Sequence, residues 1–127
     1  MEKQIISTKK APAAIGPYSQ AIKVGNLLFT SGQIPINPET GEFINDNVEM
    51  ATERVFQNII AVLEEAGTTL DKVFKTTVFL RDMNDFAKVN EVYAKYFTKD
   101  QPARSCVQAG KLPKDALLEM EVVAIVE

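Results

Sequence analysis

The chain has 127 residues, 46% hydrophobic and 24% charged, with a net charge of −3. This is the composition of one globular domain spanning 1–127, able to bury a core unaided and lacking the basic excess of a polyanion binder. With no His and a single Cys, it excludes a Ser-His-Asp triad, a Cys-His dyad, a His-ligated metal, a zinc site of four cysteines or of two cysteines and two histidines, and an internal disulfide.

Residues 3–7 form a short strand candidate, and 8–19 a loop whose Gly16-Pro17 pair marks a turn. Two apolar runs, 20–24 and 27–31, flank Gly25-Asn26, a hairpin signal. A second loop, Gly32 to Gly41, contains Pro35 and Pro38. Asp46 with Glu49 reads as a capping-box-like helix start, and Val48, Ala51, Val55, Ile59, Val62, Leu63 and Ala66 recur at helical spacing until Gly67 stops the helix. Val73 to Leu80 is rich in β-branched and aromatic residues and reads as a strand. The second helix starts around 82–85 and runs to about Phe97, with Phe86, Val89, Tyr93 and Phe97 as its apolar stripe. Asn90 falls inside that stripe, where an amide needs a hydrogen-bond partner. Strands at 103–109 and 118–126 follow, joined by a loop at 111–116.

The order β-ββ-α-β-α-ββ predicts an α+β fold, a mixed sheet with both helices packed on one face. The other face carries no helix and is too apolar to be fully solvated, so it is expected to serve self-association. By alternation, Phe74, Val78 and Leu80 point one way and Val73 and Phe79 the other.

The last two strands carry the most informative pattern. Arg104, Cys106 and Gln108 share one face of the first, and Glu119 and Glu121 one face of the second. Paired as a hairpin, they would bring a cation and a carboxylate to one site. Arg104 suits a substrate carboxylate because its planar fork gives two parallel hydrogen bonds, although a plain surface ion pair fits the same spacing. Tyr18 reads either as a ligand-facing aromatic or as a core anchor for its loop. Gly32, after Ser31, permits close backbone approach or a simple turn. Cys106 reads most simply as a small buried hydrophobe. No phosphate-binding loop is present, and Lys9-Lys10 is too small to be a nucleic-acid patch. Met1-Glu2-Lys3-Gln4 leads into no apolar stretch of signal-peptide length, and no segment suits a bilayer, so the expected compartment is the cytoplasm.

Several collinear motifs carry a family resemblance. These are Ala11-Pro12-Ala13-Ala14-Ile15-Gly16-Pro17-Tyr18-Ser19-Gln20, Thr30-Ser31-Gly32-Gln33-Ile34-Pro35, Lys75-Thr76-Thr77-Val78-Phe79, Asp85-Phe86-Ala87-Lys88-Val89-Asn90 and Pro102-Ala103-Arg104-Ser105-Cys106-Val107. Leu112-Pro113-Lys114-Asp115 with Glu119-Met120-Glu121 completes the series. Together they resemble the RidA (reactive intermediate deaminase, YjgF-like) family over nearly the whole chain.

The resemblance implies a chorismate mutase-like fold whose sheets pack into a trimeric barrel, with a cleft between each pair of neighbouring subunits. It implies hydrolysis of reactive 2-imino acids or their enamine tautomers, such as 2-iminobutanoate and 2-iminopropanoate, to 2-keto acids and ammonia, without metal or organic cofactor. By the same resemblance, Arg104 holds the substrate carboxylate and Glu119 handles the attacking water. Tyr18, Ser31 and Asn90 lie at the cleft, and Gly32 and Cys106 offer backbone groups. The chain departs from close relatives at Gln108-Ala109-Gly110-Lys111, on the Arg104 strand and just beyond it. Alternative readings are a binding or regulatory protein for 2-keto acids, a ribonuclease, which the acidic charge disfavours, and a generic holdase.

Overall fold

The computed structural model describes residues 1–127 and contains six strands and two α-helices. The strands are β1 (Lys3–Ile6), β2 (Ala21–Val24), β3 (Leu27–Thr30), β4 (Val73–Leu80), β5 (Ala103–Gln108) and β6 (Leu118–Ile125). The helices are α1 (Val48–Ala66) and α2 (Phe86–Tyr96). All strands form one mixed sheet in the order β1-β2-β3-β6-β4-β5, in which only β4 and β5 pair in parallel.

Helix α1 starts at Asn47, whose side chain accepts a hydrogen bond from the Met50 N–H at 3.0 Å. The cap is therefore one residue beyond the expected Asp46, because it is Asn47 that takes the extended backbone an N-cap needs. Gly67 ends the helix in the left-handed conformation, φ 85°, with its N–H on the carbonyls of Leu63 and Glu64. Val55, Ile59 and Val62 bury one stripe of α1 completely. Helix α2 follows a 3-10 turn, Met83–Asp85, capped by the Asp82 carboxylate on the Asn84 N–H at 2.9 Å. It buries Val89, Val92 and Tyr93. Between the helices, the fully buried Phe56 stacks on Tyr96 and meets Tyr93 and Phe97 edge-on. Each such burial contributes about 1.5–3 kcal/mol, which fixes α2 against α1.

On the sheet, Leu118, Met120, Val122 and Ala124 of β6 face the helices, whereas Glu119, Glu121, Val123 and Ile125 face the uncovered side. On β4 the alternation breaks at a register shift between Val73 and Lys75. Val73 is consequently buried on the helix side with Thr76, Val78 and Leu80, and Phe74 is exposed. This reverses the expected facing of residues 73 and 74, because a bulge shifts the alternation by one residue.

The last two strands do not pair. α2 returns the chain parallel to β4, which places β5 at the sheet edge. The connection after β5 then crosses the end of β4, where the Ala109 N–H bonds the Leu80 carbonyl at 2.9 Å and the Arg81 N–H bonds the Leu117 carbonyl at 3.0 Å. β6 thus lands on the far side of β4, between it and β3. No helix is long and apolar enough to cross a membrane.

Candidate functional site

The candidate residues fall into two groups on opposite faces of the sheet. The first surrounds Glu119. Phe29 pairs with Val123 and Gln33 with Met120, so Thr30, Ser31 and Gly32 stand against only Glu121 and Val122. The extra residue makes a bulge, and the Thr30 hydroxyl takes over one ladder bond by accepting from the Val122 N–H at 3.0 Å. The bulge brings Gly32 under Glu119. A Cβ on Gly32 would lie 2.5 Å from Glu119 Oε1 and 2.6 Å from its Cδ. The close approach that glycine permits here is to the Glu119 carboxylate.

Glu119 lines an open cleft of about 840 Å³ with Tyr18, Ser31, Gly32, Lys114 and Glu121. Half-burial, and next the negative charge of Glu121, push its carboxyl above the ordinary carboxylate range. Such a group accepts a proton more readily than an exposed glutamate does. The Ser31 hydroxyl donates to the Ser19 carbonyl at 2.6 Å, tying the bulge to the loop that carries Tyr18. Tyr18 is 49% exposed; it is a wall of the cleft and no core anchor.

The sequence did not mark out Gln20 as a separate feature, yet this residue organises that loop. Its buried side chain accepts from the Thr8 N–H at 2.7 Å and donates to the carbonyls of Thr8, Ala11 and Pro12 at 3.0, 3.3 and 2.8 Å. The only sequence signal was its polar type at the start of an apolar run. Asn58, on the buried face of α1, holds the loop after the bulge in the same way, donating to the carbonyls of Ile34 and Ile36 at 3.2 and 3.0 Å.

The second group surrounds Arg104 on the helix side of the edge strand β5. Its Nη1 donates to Asn90 Oδ1 at 2.7 Å, so the polar residue in the α2 stripe is satisfied by the arginine side chain. The guanidinium carbon lies 4.7 Å from the centroid of the Tyr93 ring and 5.4 Å from that of Phe86. One hydrogen bond and two aromatic faces orient an exposed cation whose remaining donors are free. Tyr93 is held by a 2.8 Å hydrogen bond between its hydroxyl and that of Thr76, and burial raises its phenol above the ordinary value. Cys106, two residues along the same face, packs partly against the core. Burial raises its thiol despite the opposing pull of Arg104, which disfavours a thiolate nucleophile. Gln108 accepts from the Met83 N–H at 2.8 Å and ties β5 to the start of α2.

Within one copy of the chain, the sheet itself separates Arg104, Asn90 and Cys106 from Glu119, Gly32, Ser31 and Tyr18. The expected meeting of Arg104 and Glu119 across a hairpin does not occur, because β4 lies between their strands. No group of three or more His, Cys, Asp and Glu side chains is arranged to hold a metal ion.

Residues 8–126 match the protein family described as Endoribonuclease L-PSP. The chain is 58% identical over its whole length to a RutC family protein of Pyrococcus abyssi, all of which it covers. It is 49% identical to the chloroplastic Reactive Intermediate Deaminase A of Arabidopsis thaliana, over 98% of this chain and 66% of that one. The crystal structure of E. coli TdcF with bound serine matches at a TM-score of 0.93 and 44% identity, over 98% of this chain and 99% of that one.

Proposed function

The chain belongs to the RidA (YjgF-like) family, and from that premise we propose that it hydrolyses reactive 2-imino acids, 2-iminobutanoate and 2-iminopropanoate among them, to 2-keto acids and ammonia. The observation that supports this reading is the placement of an oriented guanidinium, Arg104, on one sheet face and a half-buried carboxylate, Glu119, in an open cleft on the other. A second copy of the chain can join them, with the Arg104 edge of one copy meeting the Glu119 cleft of its neighbour. A homotrimer closed by three such contacts satisfies all three clefts at once. The uncovered face has the character this assembly needs, since Ile5, Phe29, Phe74 and Val107 are large apolar residues left 43–63% exposed there.

In the assembled cleft, Arg104 holds the substrate carboxylate and leaves the imine carbon facing Glu119. Glu119 takes a proton from water as the oxygen adds to that carbon and returns it to the nitrogen; it then carries the proton of the new hydroxyl to the same nitrogen, so that ammonia leaves as the carbonyl forms. An enamine first gains a proton on its β-carbon to become the imine. An imine carbon is already electrophilic, so orientation, worth up to ~7–11 kcal/mol, and one acid–base group, worth about 10²–10⁴-fold, suffice without a metal or organic cofactor. Tyr18 and Ser31 bound the cleft, and the backbones of Gly32 and Cys106 offer hydrogen bonds to the bound anion.

The test couples a threonine dehydratase, which releases 2-iminobutanoate, to semicarbazide as a competing trap. Wild type in catalytic amounts should speed keto-acid release and lower semicarbazone, and Arg104→Ala should do neither while keeping its oligomeric state. If wild type behaves as buffer does, the reading is wrong.

A regulatory 2-keto acid binder would use the same clamp. Glu119→Gln separates the two readings, since it should retain keto-acid binding and lose most turnover. The family description as an endoribonuclease supports a further reading, but a net charge of −3 and a cleft lined by two glutamates and one lysine disfavour a polyanionic substrate.

A further inference from the structure

The turn that follows Leu112 carries the one cation of the Glu119 cleft. Lys114 lines it, and no other Lys or Arg does, whereas Glu119 and Glu121 both face into it. Lys114 is exposed. Its ammonium enters none of the molecule's three ion pairs, Lys72–Glu127, Arg81–Asp115 and Lys95–Glu53.

The backbone that presents it is unusual. Lys114 stands at φ 55°, ψ 21° and Asp115 at φ 56°. Asn, Asp and Gly accept this left-handed conformation far more readily than Lys does. The turn is held by its neighbours. Arg81 Nη1 donates to the Asp115 carbonyl at 3.1 Å and to its Oδ2 at 3.2 Å, and Asn45 Nδ2 donates to the same carbonyl at 3.1 Å. The Leu117 N–H returns to Asn45 Oδ1 at 2.8 Å. Each of these bonds lands beside Lys114 and none on its side chain. Strain of this kind persists where the surroundings over-determine it, and it marks positions with a task.

The task follows from charge. A carboxylate-bearing ligand entering this cleft meets the field of two glutamates before it reaches any clamp. We propose that Lys114 is a positioning residue that draws small 2-oxo and 2-imino carboxylates into the cleft, its ammonium offsetting Glu119 and Glu121 along the path of entry. This rests on the imino acid reading and supplies the means by which that site overcomes its own charge.

The test is calorimetric titration of the intact oligomer with 2-oxobutanoate, at low and high salt, for wild type and for Lys114→Arg, Lys114→Asn and Lys114→Asp. Asn and Asp tolerate the left-handed backbone, so the series varies charge with little conformational penalty. The Kd should weaken about two- to fivefold for Asn, further for Asp, and little for Arg. The differences should shrink as salt shortens the screening length, and the Asn variant should melt at or above wild type. A structural role for Lys114 would not make affinity follow charge and salt together. Equal Kd values for wild type, Asn and Asp at low salt would overturn the role of Lys114 and leave the imino acid reading standing. Absence of binding by wild type would overturn both.

Discussion

Arg104 and Glu119 occupy opposite faces of the same sheet, with β4 between their strands: Arg104 aligns with Thr76 on the helix side, and Glu119 with Phe79 on the open side. Each is held by contacts of its own, Arg104 by Asn90 and two aromatic rings, Glu119 by its packing over Gly32. Neither half can become a complete site by side-chain rotation. If both serve one reaction, the reaction belongs to the contact between copies, and free monomer should be inactive.

That dependence can be tested by complementation. Arg104→Ala and Glu119→Gln should each be inactive alone. When the two are unfolded, mixed equally and refolded together, a cleft is intact only where the arginine of one copy meets the glutamate of the other. Random assembly gives this for about a quarter of clefts, so about a quarter of wild-type turnover should return. Recovery absent despite confirmed mixed oligomers would place both residues' work within one copy.

Gly32→Ala is expected to separate activity from stability. The new Cβ would sit 2.5 Å from Glu119 Oε1, closer than any real contact, and the side chain can give way more easily than the bulge backbone. The carboxylate then leaves its position. Turnover should fall about 10²-fold, while unfolding free energy drops by no more than about 1–2 kcal/mol. Denaturant melts beside the coupled imine assay read both. Full activity would show that Glu119 needs no fixed position.

Much of this architecture can be read along the chain, because local physics dictates it. Gly25 adopts φ 59° in the β2–β3 hairpin and Gly67 φ 85° at the end of α1, as a turn and a helix stop require. Alternation places Glu119 and Glu121 on one face of β6 correctly, since that strand is regular. It fails at Val73 and Phe74, where the register shift makes parity misleading. It is also silent on which strand lies beside which. The face of Arg104 follows from period two, but its separation from Glu119 follows from a crossover and a loop that cross β4. The partners of Gln20 are distant in the chain, and the turn that presents Lys114 is held by Arg81 and Asn45 from elsewhere in the sequence, which no local pattern encodes.

Glu119 should also leave a mark on stability. Burial and the charge of Glu121 raise its carboxyl above the usual range, with Lys114 and Tyr18 sharing the same cleft. The folded state therefore holds that proton more tightly than the unfolded chain does. The associated stability is complete below the unfolded pKa and is lost as pH rises through the folded one. Glutamine, neutral throughout, loses nothing. Glu119→Gln should thus melt above wild type at about pH 7–8 and match it near about pH 3.5. The reverse gap at neutral pH would mean that a cation, Lys114 or one supplied by the neighbouring copy, stabilises the ionised form.

Gln20 makes a prediction of its own, since its side chain bonds only to the backbone of the loop that carries Tyr18. Its amide makes four hydrogen bonds to the backbone of Thr8, Ala11 and Pro12. Ser31, whose N–H bonds the Gln20 carbonyl at 2.9 Å, ties the same region to the bulge. Gln20→Ala leaves the buried Ala11 carbonyl, and the part-buried Thr8 and Pro12 groups, without these partners, a cost of about 1–3 kcal/mol. The loop carrying Tyr18 should loosen as well, so amide exchange in residues 8–19 should quicken well beyond the change in global stability. Keto-acid binding should weaken in step, because the Tyr18 wall is no longer fixed. Gln20→Glu keeps one acceptor for the Thr8 N–H but turns an oxygen toward three carbonyls, so it should be no better than alanine. A glutamate variant as stable as wild type would show that this loop is held by something other than the amide's donors.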